Sequence, residues 1–175
     1  MNRLLVEKVT VTLVLVLWWV LGEPVGYREY CGNTAMYLTV AEHALAMVSH
    51  AGFWHLAGNL FVLWILMGRL YLLPSVMIAL VMSFVPAFGL LWPMEGLTMG
   101  FSGVLFAVVG IKWGVYCQSF APAGAYFVRA AVSEFCYKIV PFALIGVLIP
   151  HVNWCLHLYC LLAGFVYGAW RWRHS

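Results

Sequence analysis

Residues 98–114 read TMGFSGVLFAVVGIKWG, an apolar run in which Ser102 stands between Gly100 and Gly103, with further glycines at Gly110 and Gly114. Gly103, Gly110 and Gly114 are spaced by seven and four residues, so on a helix they share one face. A second run, from His157 through Gly164 to Gly168, repeats that spacing. Small residues let membrane helices approach closely, which matters where lipid supplies no hydrophobic drive between them. Two parallel helices pressed together along these faces would carry Ser102 and His157 side by side.

The rest of the chain fits a membrane setting. Of 175 residues, 65% are hydrophobic and 9% charged, against about 45–50% and 25% in a soluble domain. The sequence reads as an all-α membrane protein with one domain over residues 1–175. A spanning helix needs about 20 mainly apolar residues, and charges and turn residues divide the chain into six such spans: 4–21, 53–71, 74–92, 98–117, 131–149 and 154–170. The first is read as a retained span, because bulky Trp18 and Trp19 stand where a signal peptide would carry small residues and a cleavage site. In the fifth, Glu134 and Lys138 can pair at helical i,i+4 spacing, and Pro150 to Asn153 forms the turn that follows. With the N-terminus cytoplasmic, Arg3, Lys8, Arg69, Lys112, Arg129, Lys138, Arg171 and Arg173 lie inside or near the inner ends of spans, and only Arg28 lies outside. That bias predicts cytoplasmic termini in an inner or plasma membrane, with residues 22–52 on the outer side.

Composition also excludes mechanisms. The chain has no aspartate, so no Asp nucleophile, base or metal ligand is available. No HExxH motif is present, and no cofactor, metal or nucleic-acid partner is implied. The five cysteines lack CxxC spacing and read as free thiols, with a Cys31–Cys155 bridge allowed by the topology. His43 and His151 read as ordinary outer-surface histidines, and His174 as a solvated tail residue. Trp18, Trp19, Trp92, Trp170 and Trp172 fall near span ends and read as interfacial anchors.

On this topology the intramembrane polar residues converge. Ser102 and His157 lie at one depth near the outer surface, and Asn59 lies one helical turn beyond His55. Intramembrane polar groups are costly, so several at one depth favour function over packing. A serine hydroxyl is a weak nucleophile until a neighbouring base accepts its proton. Acyl transfer also needs donors aimed at the developing oxyanion. His55, Asn59 and the backbone N–H of Ser102 are the candidates, aided by the positive end of the helix dipole at Ser102.

GFSG at 100–103, HAGFWHLAGN at 50–59 and NWCLHLYCLLAG at 153–164 together resemble the rhomboid intramembrane serine proteases, over roughly residues 43–168. The resemblance implies a six-transmembrane-helix rhomboid-like bundle that cleaves transmembrane or membrane-anchored protein substrates near the outer membrane face. It implies Ser102 as nucleophile, His157 as base, and His55, Asn59 and Ser102 as oxyanion donors. It also implies His50, Gly100, Gly103 and Phe106 as site support, and Gly110, Gly114, Gly164 and Gly168 as helix packing. Phe106 stands where the family often has tyrosine and can still stack on His157. Cys160 stands where the family often has glycine. His50 and His55 are five residues apart, about 140° on a continuous helix, so the chain should break at Gly52. The alternative is a catalytically silent rhomboid-like protein that binds transmembrane helices for quality control or trafficking.

Overall fold

The computed structural model describes residues 3–21, 39–66, 69–85, 99–120, 129, 132–133 and 153–173. They form six helices: α1 (Arg3–Val20), α2 (Val40–Val48), α3 (Phe53–Ile65), α4 (Leu72–Ser83), α5 (Ser102–Phe120) and α6 (Trp154–Arg173). The expected fifth span at 131–149, apart from residues 132–133, the turn from Pro150 to Val152, and Cys31, Trp92, His151 and His174 lie outside the described residues. Among the described residues, no helix is long and apolar enough to cross a membrane. Charges and length explain this. Arg3, Glu7 and Lys8 occupy the first turns of α1, Arg171 and Arg173 the end of α6, while α3 and α4 are only 13 and 12 residues long.

Helix α5 is the axis of the bundle. Gly103 through Phe106 and on to Val108 are all buried, as expected where a helix is enclosed by its neighbours, while Lys112, Gln118 and Ser119 interrupt its apolar run further on. Its most extensive contact is with α6, and glycines make that contact possible. A Cβ on Gly110 would overlap the carbonyl oxygen of Leu161, and one on Gly114 that of Phe165. In the reverse direction, a Cβ on Gly164 would lie 2.5 Å from the Ala107 oxygen, and one on Gly168 would overlap the Ile111 oxygen. Backbone thus meets backbone from both sides. Gly103 differs, because a Cβ there would meet Cys160 Sγ at 3.5 Å and Ala79 Cβ at 3.8 Å, which is ordinary van der Waals contact. The helices therefore part by about a side chain toward Ser102.

The remaining helices are fastened to this pair by few but specific polar contacts. Lys8 is buried on α1 and donates to the Trp64 carbonyl at 2.7 Å. It thereby satisfies an orphan acceptor in the last turn of α3. Trp64 returns the contact by donating Nε1 to Thr12 Oγ1 at 3.1 Å. Helix α2 was not legible as a helix in the outer segment, yet Thr39 and Glu42 close a full capping box at its start. It carries His43, which is 1% exposed rather than a surface residue. Ser83 Oγ donates to the Leu80 carbonyl at 2.7 Å, so it accepts from His43 Nδ1 at 2.8 Å. The His43 ring also stacks on Phe84 with centroids 3.8 Å apart, tying α2 to α4.

The glycine contacts give a stability test. Gly164→Val forces a branched side chain into the α5 backbone and should cost at least the 1–3 kcal/mol typical of overpacking. Gly58→Ala has nothing within 4 Å of the added Cβ and should be neutral or stabilise by up to about 1 kcal/mol through helix propensity. Thermal unfolding in detergent compares them, and equal effects would contradict the close backbone packing.

Candidate active site

Ser102 is the first residue of α5, and His157 is in the first turn of α6. Ser102 Oγ lies 2.7 Å from His157 Nε2. For the hydroxyl to donate there, Nε2 must be unprotonated and Nδ1 must carry the ring proton. Nδ1 is buried and has no hydrogen-bond partner among the described residues, none of which sets a carboxylate behind the imidazole. One face of that ring is covered by Phe106, with centroids 4.3 Å apart and planes 12° from parallel. Ser102 stays partly accessible while His157 is buried.

His55 comes from the first turn of α3. The Ala51 backbone N–H donates to His55 Nδ1 at 3.4 Å, which leaves the proton on Nε2 as a donor. That ring sits directly against the turn before Ser102: a Cβ on Gly100 would lie 2.7 Å from both Cε1 and Nε2. Gly100 also has φ +119°, a conformation open to glycine and strained for other residues. Asn59 lies one turn further along α3, and its Nδ2 donates to the His55 carbonyl at 3.1 Å. The same Nδ2 is 3.6 Å from the position of a Gly100 Cβ, so its second N–H is near the turn as well. The Ser102 N–H belongs to the first turn of α5, whose amides have no intrahelical acceptor.

His50 stands behind these groups, in the break between α2 and α3. Its ring is fully buried, its Nδ1 is 3.1 Å from the Val48 carbonyl, and it meets His55 edge-on with centroids 5.1 Å apart. Burial, and then the neighbouring His55, push its pKa down to about 4.

The structure thus brings Ser102, His157, His55, Asn59, His50, Gly100 and Phe106 together. Gly110, Gly114, Gly164 and Gly168 lie along the α5–α6 contact below them. Sequence reasoning missed the role of α2. The Gly100 N–H donates to the Ala46 carbonyl at 2.8 Å, so α2 anchors the turn that presents the serine. The signal was the capping-box spacing of Thr39 and Glu42. Also missed was the bond from Trp18 Nε1 to Ser49 Oγ at 3.2 Å, which ties α1 to the segment carrying His50. Cys155 is a free thiol.

Chemically, a hydroxyl aimed at a neutral imidazole, beside several N–H donors and three helix N-termini, is suited to acyl transfer. Residues 38–174 match the family model described as the Rhomboid domain. Neither the curated proteins nor the solved structures gave a match. The matched segment is most of the chain, and the chain belongs to the rhomboid family. Members of that family are integral membrane proteins, generally serine proteases, that act on membrane-protein substrates.

The buried His50 predicts a pH dependence of folding. An unfolded histidine titrates near 6.5, whereas the folded ring resists protonation down to about 4. The unfolded chain then binds more protons between these values, so stability is full above about pH 6.5 and falls as the pH drops toward 4. Melting temperatures of the detergent-solubilised chain from pH 7.5 to 4.5 should show that decline, with a shallower slope in His50→Asn. An identical slope in both would remove His50 as its source.

Proposed function

We propose that this chain is an intramembrane serine endopeptidase that cleaves transmembrane or membrane-anchored protein substrates near the outer membrane face. The observation that carries the reading is the 2.7 Å approach of Ser102 Oγ to His157 Nε2. Ser102 attacks the scissile carbonyl as its proton passes to Nε2. The tetrahedral intermediate collapses with cleavage of the C–N bond, and the leaving amine takes that proton. Water then repeats the sequence on the acyl-enzyme and regenerates the hydroxyl. His55 Nε2–H, the Asn59 amide and the Ser102 N–H stabilise the oxyanion, each such donor being worth roughly 10²–10³ in rate. Phe106 faces the imidazole as it becomes cationic, a contact worth about 0.5–2 kcal/mol.

The bilayer setting is part of the same proposal. Helices α1, α5 and α6 have 18, 19 and 20 residues, about 27–30 Å at 1.5 Å per residue, close to the thickness of a hydrocarbon core. Lys8 at the end of α3, and Arg69 and Arg171 beside Tyr71, gather at the end of the bundle opposite Ser102. That supports cytoplasmic termini and an outward-facing site. A transmembrane substrate must unwind locally to expose its carbonyl, because a helix holds its backbone acceptors in hydrogen bonds. Small or helix-breaking residues near the cleavage point are favoured by that requirement.

Labelling of the detergent-solubilised chain with a fluorescent fluorophosphonate tests the proposal. Wild type should label, Ser102→Ala should not, and His157→Ala should label at least about 10²-fold more slowly, the usual contribution of a general base. Equal labelling of all three forms would sink the enzyme reading.

A further inference from the structure

We propose that the groove between α4 and α6 binds one anionic phospholipid, with its phosphate between Arg69 and Arg171 and an acyl chain along the groove. The proposal rests on the chain lying in a bilayer and is independent of its being a protease. The groove has a volume of about 620 Å³ and is lined by apolar and aromatic side chains, among them Met82, Tyr159, Leu162, Val166, Tyr167 and Trp170. From Tyr159 to Trp170 it follows α6 for about 16 Å at the helical rise, roughly the depth of one leaflet's hydrocarbon. Leu162, Val166 and Trp170 on its wall are 48%, 65% and 56% exposed, so the groove opens outward from the bundle.

Its inner end is closed by a cationic cluster. Tyr167, a lining residue, accepts a hydrogen bond at 3.3 Å from Arg171 Nη1. The Arg171 guanidinium is 5.9 Å from the centre of the Tyr71 ring, and the Arg69 guanidinium is 5.1 Å from the same centre. Two cations 102 residues apart in sequence therefore share one aromatic ring. Among the described residues neither meets a carboxylate, unlike Arg3, which pairs with Glu7 on α1. The ring attracts each cation but carries no net charge to neutralise them. A phosphate oxyanion would do so, since guanidinium forks match its geometry.

Tyr71 adds a further donor set. It precedes α4 in the left-handed conformation, φ 50°, and gives that helix no side-chain cap. In the first turn of α4 only Leu72 and Leu73 carry N–H groups without an intrahelical acceptor, since Pro74 has none, and both lie near the two arginines. On the proposed topology this end faces the cytoplasmic leaflet, where anionic lipids are enriched and basic pockets between helices bind their head groups. Charge at one end and a leaflet-deep apolar channel at the other together select a phospholipid over a soluble anion.

Native mass spectrometry of the delipidated full chain in neutral detergent tests this with phosphatidylglycerol, phosphatidylcholine and inorganic phosphate. One phosphatidylglycerol should be retained at least tenfold over phosphatidylcholine, and inorganic phosphate should leave no adduct. The double variant Arg69→Gln/Arg171→Gln should fall to the phosphatidylcholine level. Ala163→Trp, which fills the groove while leaving both arginines, should also lose the lipid. Melting temperatures without lipid report the folding of each variant, so a failure of the fluorophosphonate experiment leaves this one readable. Equal retention of the two lipids, unchanged retention in either folded variant, or a phosphate adduct matching phosphatidylglycerol would each overturn the proposal.

Discussion

The direct contact of the α5 and α6 backbones is the constraint on which the site depends. Four glycines permit it, and each faces a carbonyl oxygen of the opposite helix too closely for any side chain to intervene. In lipid, such an approach is held by dispersion and weak polar contacts, since no water is released by bringing apolar faces together. Close contact fixes the register of the two helices, and register fixes the relation of Ser102 to His157. At the level of Gly103 and Cys160 the helices stand slightly further apart. That opening admits the imidazole and the Phe106 ring stacked on it.

Among the described residues no carboxylate meets Ser102 or His157, which suits the surroundings. A buried carboxylate would have to be desolvated and paired, at a cost that a neutral hydroxyl–imidazole pair avoids. The electrostatic work falls instead on fixed dipoles. Ser102, His157 and His55 each stand in the first turn of their own helix, so three positive helix ends point at one small volume. The backbone supplies this field without any ionised group. Gly100 completes it, because only a residue without Cβ lets the chain pass so close to the His55 ring.

Much of this arrangement was legible in the sequence because it is written in spacing. Glycines at seven and four residues on two runs marked the faces of α5 and α6, and the intervals among His50, His55 and Asn59 marked α3 and its broken start. What escaped was what depends on tertiary partners. Helix α2 is nine residues long and lies in a stretch with no spanning signature, so hydropathy passes over it, although its capping box is plain once sought. His43 looked like a surface residue because its partners, Ser83 and Phe84, lie 40 and 41 positions away. Lys8 looked like a flanking charge, yet it is buried against the Trp64 carbonyl.

The separation between Ser102 and His157 has a consequence for biosynthesis. The two residues are 55 positions apart in the chain, so Ser102 emerges from the ribosome well before His157. At about 5–20 residues per second, that interval is roughly three to eleven seconds. Throughout it the nascent polypeptide carries an unactivated alcohol. The Ser102–His157 pair can therefore form only once α6 has docked against α5, so any activity of the proposed kind is withheld until the last described helix is in place.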